Sequence, residues 1–67
     1  MKLNEIVRVR RLELNLTLEE LSQTTGLSTG HLSDIENGKR KDLQGKTIKK
    51  LAYGLGLQLT DLLQEDD

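Results

Sequence analysis

Residues 17–38, TLEELSQTTGLSTGHLSDIENG, read as two short helices joined by a tight turn, and that reading decides the fold. Thr17 followed three residues later by Glu20 is a capping-box pattern: the hydroxyl accepts from the Glu20 amide, and the carboxylate accepts from the Thr17 amide. A helix is therefore expected over 18–24. Leu18 and Leu21 lie on one face, and Thr24-Thr25-Gly26 ends the segment, since glycine takes the left-handed conformation that closes a helix. Ser28 is the next N-cap. Behind it Leu32, Ile35 and Glu36 share one face, Gly30, Ser33, Asp34 and Asn37 share the other, and Gly38 stops a helix over 29–37. The outer face of this second helix is small and polar. A helix that enters the major groove of DNA needs such a face, because short polar side chains reach base edges there.

Upstream, residues 2–14 are expected as a helix with Leu3, Val7 and Leu14 in an apolar stripe and Ile6 beside it. Arg11 occupies the position that continues the stripe. A guanidinium there needs a partner, because breaking a buried pair costs roughly 3–5 kcal/mol. Glu36 falls on the inner face of its own helix and is the candidate, which makes Arg11 and Glu36 a structural ion pair. Asn15 sits where a helix ends and tolerates the left-handed conformation. Leu16 packs as the hydrophobic residue before the Thr17 cap.

Downstream, a helix over 46–55 carries Ile48, Leu51, Ala52 and Leu55 at i, i+3, i+4, i+7 spacing and stops at Gly56. Gly54 inside it costs about 1 kcal/mol relative to alanine and marks either close helix packing or nothing. Thr60 is expected to cap a last short helix over 61–65, with Leu62 and Leu63 turned inward. No repeat, linker or second domain is visible, so residues 1–67 read as one domain. Leu57, Leu59, Leu62 and Leu63 are candidates for a dimer patch, although core is the commoner role for such residues.

A chain of 67 residues buries only about 60% of the surface it exposes when unfolded, so its stability is modest unless it dimerises. With no Cys there is no disulfide and no thiolate metal site, which suits a reducing cytoplasm. The opening MKLNEIVRVRR is charged throughout, and no apolar run is long enough to span a membrane, so neither a signal peptide nor a membrane partner is expected. Fifteen leucines against the single aromatic Tyr53 make an aliphatic core. Readers of single strands and RNA loops stack bases on aromatic rings, whereas a reader of duplex DNA needs none. A net charge of −1 is low for a nucleic-acid binder. Its distribution is uneven, however: Lys39, Arg40, Lys41, Lys46, Lys49 and Lys50 stand against Asp42 alone, while Glu65, Asp66 and Asp67 gather at the end. One side of the molecule should attract phosphate.

The spacing L-x-x-L-S-x-x-T-G-L-S-x-x-x-L-S-x-I-E-N-G-K resembles the helix-turn-helix of the phage repressor and Cro family, and the ending KTIKKLAYGLGLQLTDLL resembles the closing helices of that family. The likeness runs from about Ile6 to Leu63. It implies an all-α, five-helix bundle of the lambda-repressor type, in a bacterial or phage-encoded, cytoplasmic regulator. It also implies the joining of an Arg late in the first helix to a Glu before the Asn-Gly of the third, here Arg11 and Glu36. Family positions at the start and outer face of the recognition helix make Thr29, Gly30, Ser33 and Asp34 the base-facing set. Asp34 either accepts from cytosine N4 or pairs with a nearby Lys or Arg and reads nothing. Phosphate contacts are expected from Thr17, Leu18, Ser28, His31, Asn37, Lys39, Arg40, Lys41 and Lys46. At Leu18, where the family often carries Gln, only the amide at the helix N-terminus can serve.

Catalysis has no support in the residues. The sole histidine, His31, has no partner base or nucleophile pattern, and the pairs Glu19-Glu20 and Asp66-Asp67 diverge from each other as sequence neighbours. A second His and any Cys are lacking, so no metal, and no cofactor or small-molecule ligand, is expected. The expected function is sequence-specific binding of duplex DNA as a homodimer, with transcriptional repression as the outcome for a chain with no room for a ligand-sensing or activating domain. The alternative is a protein-interaction module, antitoxin-like or a regulatory subunit, on the same fold.

Overall fold

The computed structural model describes residues 1–40 and 43–63 and contains, among them, five helices and no strands. These are α1 (Leu3–Glu13), α2 (Leu18–Thr25), α3 (Thr29–Glu36), α4 (Gly45–Leu55) and α5 (Leu59–Leu62). Each starts for a local reason. The Lys2 amide donates to the Glu5 carboxylate at 3.1 Å. At α2 the capping box closes both ways, with Glu20 N donating to Thr17 Oγ1 at 3.0 Å and Thr17 N to Glu20 Oε1 at 2.9 Å. The Ser28 hydroxyl accepts from His31 N at 3.0 Å and opens α3.

The helix ends follow one pattern. Asn15 (φ 57), Gly38 (φ 73) and Gly56 (φ 64) are left-handed, and the amide after each returns to a carbonyl of the last helical turn: Leu16 to Arg11, Lys39 to Asp34 and Leu57 to Ala52. These paired closures satisfy carbonyls that a helix end would otherwise leave bare. At the end of α2, Gly26 is left-handed too (φ 78), and Thr25 pins the following turn: its hydroxyl donates to the Leu21 carbonyl at 2.8 Å and accepts from Leu27 N at 3.2 Å. That turn, residues 26–28, is what separates α2 from α3.

Three expectations need correction. Leu14 is not part of the apolar stripe. It caps α1 and stands 38% exposed, because the helix ends at Glu13 and the chain reverses at Asn15, so Leu16 packs against the core instead. Thr60 does not cap the last helix but lies inside it. Gln58 is the N-cap, its amide donating to Asp61 Oδ2 at 2.9 Å, so α5 begins at Leu59 rather than at 61. Leu63 does not turn inward; it is half exposed at the C-cap of α5. Residues 64 and 65 of the expected helix lie outside the described residues.

The core is Val7, Leu21, Leu27, Leu32, Ile35, Leu51, Ala52, Leu55 and Leu62, with Leu3, Ile6, Leu16, Leu18, Leu43, Ile48 and Leu57 packed around it. Burying each large aliphatic fully contributes about 1.5–3 kcal/mol. Around these side chains α2 packs on α3 and α4, α1 on α3, α4 and α5, and α4 on α5. Gly54 is where α4 meets α2 closely: a β-carbon there would sit 2.6 Å from Thr25 Cγ2 and 3.1 Å from Leu21 Cδ1. Arg10 Nε of α1 donates to the Leu55 carbonyl at 2.9 Å, tying α1 to the C-terminal end of α4.

Candidate nucleic-acid interface

α3 is anchored by one face and free on the other. Leu32 and Ile35 are buried in the core, and Glu36 is buried against Arg11. The Arg11 guanidinium clasps that carboxylate with two hydrogen bonds, Nε to Oε2 at 2.6 Å and Nη2 to Oε1 at 3.0 Å, and its remaining arm donates to the Leu16 carbonyl at 2.7 Å. Hydrogen bonding to Glu36 raises the Arg11 pKa above its already high ordinary value, outweighing the opposing effect of burial. The guanidinium is therefore always charged. This clasp locks the rotation of α3 about its axis relative to α1, and so decides which side chains face outward.

Those outward side chains are Thr29 and Gly30, both exposed, and Ser33 and Asp34, both half-buried. Nothing lies within 4 Å of the position a Gly30 β-carbon would take, so the surface there is open. Ser33 Oγ accepts from Asn37 Nδ2 at 3.3 Å, one turn further along. Asp34 lies 3.8 Å from Arg40 Nε. The hydroxyls of Thr17 and Ser28 are engaged in their caps, while the Leu18 side chain is half-buried against the core.

Beside α3 runs a cleft of about 380 Å³ whose lining includes Leu27, His31, Arg40, Leu43, Lys46 and Lys50. Among the described residues its lining combines the apolar Leu27 and Leu43 with the cations Arg40, Lys46 and Lys50 and includes no carboxylate. The fold thus brings His31, Arg40 and Lys46 together. Lys39 is exposed just past the end of α3, whereas Lys41 lies outside the described residues. Lys50, counted in the basic run but not among the expected phosphate contacts, joins them. The signal was available, since Lys50 follows Lys46 by four residues and so lies on the same face of α4. Tyr53 is 79% exposed on α4, so this chain has one outward ring and no row of rings for stacking bases.

A helix able to fill a groove, flanked by cations and held by a short turn to a second helix, defines a helix-turn-helix protein. The family profile described as helix-turn-helix matches residues 7–62, and the chain belongs to that family, in the repressor and Cro-type branch its motif resembles. It is similar to the HTH-type transcriptional repressor RghR of Bacillus subtilis strain 168, with 41% identity over 59 residues, 88% of this chain and 44% of that protein. The ImmF control region 10 kDa protein of Bacillus phage phi105 is 34% identical over 61 residues, covering 91% of this chain and 67% of its own length. The chain thus spans less than half the length of RghR. Among solved structures, a mutant of the restriction-modification controller protein C.Esp1396I superposes with a TM-score of 0.81 at 24% identity, over 91% of this chain and 78% of that one. That likeness is one of fold. No helix among the described residues is long and apolar enough to cross a membrane.

Proposed function

We propose that the chain binds double-stranded DNA in the cytoplasm of its host by laying α3 in the major groove, and that it represses transcription from the sites it occupies. The observation that carries the reading is the division of α3: an inner face locked by Leu32, Ile35 and the Arg11–Glu36 clasp, and an outer face of small polar residues flanked by Lys39, Arg40 and Lys46. Thr29, Gly30, Ser33 and Asp34 face the bases, with Gly30 leaving room for a thymine methyl. Thr17, the Leu18 amide, Ser28, His31, Asn37, Lys39, Arg40, Lys41 and Lys46 serve the phosphates on either side, where contacts add affinity and set register without reading sequence. Two copies bind a two-fold related site. Its half-sites lie about 34 Å apart, one turn of the duplex.

The test is a selection of random duplex DNA against the purified chain at low salt, followed by titration of the enriched sequence at rising salt. A palindromic sequence and an affinity that falls steeply with salt are expected. No enrichment, with feeble binding even at low salt, would overturn the proposal and turn attention to a protein partner.

A further inference from the structure

We infer that Asp34 and Arg40 form a latch that makes duplex binding selective: Asp34 keeps Arg40 off the phosphates of sequences it does not match, and frees it where the carboxylate meets a cytosine amino group. The inference rests on the reading of α3 as the helix that enters the groove.

Asp34 is the only carboxylate that α3 presents outward, because Glu36 is buried against Arg11. A carboxylate in a groove is repelled by the phosphates around it, and on the base edges it finds a donor at cytosine N4. Among the described residues Arg40 is the counter-charge paired with it, with Nε 3.8 Å from Asp34 Oδ2. The approach is built into the backbone: left-handed Gly38 and the bond from Lys39 N to the Asp34 carbonyl, 2.9 Å, turn the chain back so that Arg40 lies over Asp34. The side chains are 54% and 38% exposed, and 3.8 Å is too long for a hydrogen bond, so this is a loose, wet ion pair. Exposed pairs of this kind are worth at most about a fivefold factor, which makes the latch easy to open.

The consequence is a difference in counterion release. On a random duplex Arg40 stays with Asp34, neutralising the charge that would otherwise face the phosphates, and makes no phosphate contact of its own. On a duplex with cytosine at the matching position, Asp34 accepts from N4 and Arg40 turns to the backbone. Matched binding therefore involves one more phosphate than unmatched binding, and its affinity falls more steeply with salt by about 0.9 in the log–log slope.

The test compares the wild-type chain with Asp34→Asn, Arg40→Gln and the double variant, on random duplex and on the selected site, each at several salt concentrations, with helical melting as a control for folding. On random duplex, Asp34→Asn should bind about two- to fivefold more tightly, with the slope steeper by about 0.9, and should lose its preference for cytosine at one position. In the Arg40→Gln background the same substitution should leave the slope unchanged. If wild type binds duplex but Asp34→Asn leaves the slope alone, or steepens it equally in the Arg40→Gln background, the latch is wrong while the DNA-binding reading stands. If neither wild type nor Asp34→Asn binds any duplex at low salt, the underlying reading fails and takes the latch with it.

Discussion

Replacing Arg11 by Met tests the argument about how α3 is held. The side chains of Arg11 and Glu36 are only 12% and 5% exposed, so the pair is screened little by water. Arg11→Met removes three hydrogen bonds, two to Glu36 and one to the Leu16 carbonyl, and leaves a buried carboxylate without a counter-charge. Such a loss costs about 3–5 kcal/mol. A domain of this length has roughly 3–10 kcal/mol of stability in all, so the single variant should lose a large share of it. Removing both charges is different. In Arg11→Met with Glu36→Leu the desolvation cost of two ions disappears, leaving the Leu16 carbonyl without its donor and some imperfect packing. That variant should come within about 1–2 kcal/mol of wild type. Urea titration followed by far-ultraviolet circular dichroism measures all of these. A change within about 0.5 kcal/mol for Arg11→Met would refute the buried clasp, and a double variant less stable than both singles would refute the assignment of the cost to an orphaned charge. Because the folded-state pKa of Arg11 is raised, its contribution is present at all lower pH and is lost only as pH rises past that high value. Stability that fell in mild alkali and did so less in Arg11→Met would contradict this.

Gly54→Ala should lower the melting temperature even though alanine is the better helix former by about 1 kcal/mol, because its methyl meets Thr25 Cγ2 at 2.6 Å and overpacking costs about 1–3 kcal/mol. Adding Thr25→Ser, which deletes that methyl and keeps the hydroxyl, should restore much of the loss, and a higher melting temperature for Gly54→Ala alone would refute the close approach. Asn15→Val should destabilise by about 1–2 kcal/mol in a urea titration, since a β-branched residue resists the left-handed region that φ 57 requires; an unchanged midpoint would show that the turn relaxes freely. Lys46→Gln should weaken binding to every duplex alike and reduce the salt slope by about 1, as loss of one phosphate contact does. A loss confined to one sequence would assign Lys46 to base reading instead.

Much of the helix-turn-helix was legible because its signals are short in sequence. Thr17 reaches Glu20 and Ser28 reaches His31, three residues along, and the left-handed positions at Asn15, Gly38 and Gly56 are set by their immediate neighbours. The same locality explains the errors near element ends. Leu14 continues the helical spacing of α1 on paper, but the helix stops one residue earlier, and Thr60 is the better cap by residue type although Gln58 and Asp61 form one. Within the basic run, sequence does not single out Lys50, because its place beside His31 and Arg40 depends on how α4 docks next to α3, not on its own surroundings in the chain.

The sequence by itself determined that helices form, where most of them begin and stop, and which faces are apolar, since caps, turns and periodicity act over a few residues. Tertiary structure alone decided the pairings across the bundle: Arg10 on the Leu55 carbonyl, 45 residues away, Gly54 beneath Thr25, and Lys50 of α4 brought beside His31 of α3. Each of these depends on the crossing and rotation of whole helices. Those are set by the joint packing of Val7, Leu21, Leu32, Leu51, Leu55 and Leu62 in one core, to which residues from all five helices contribute at once.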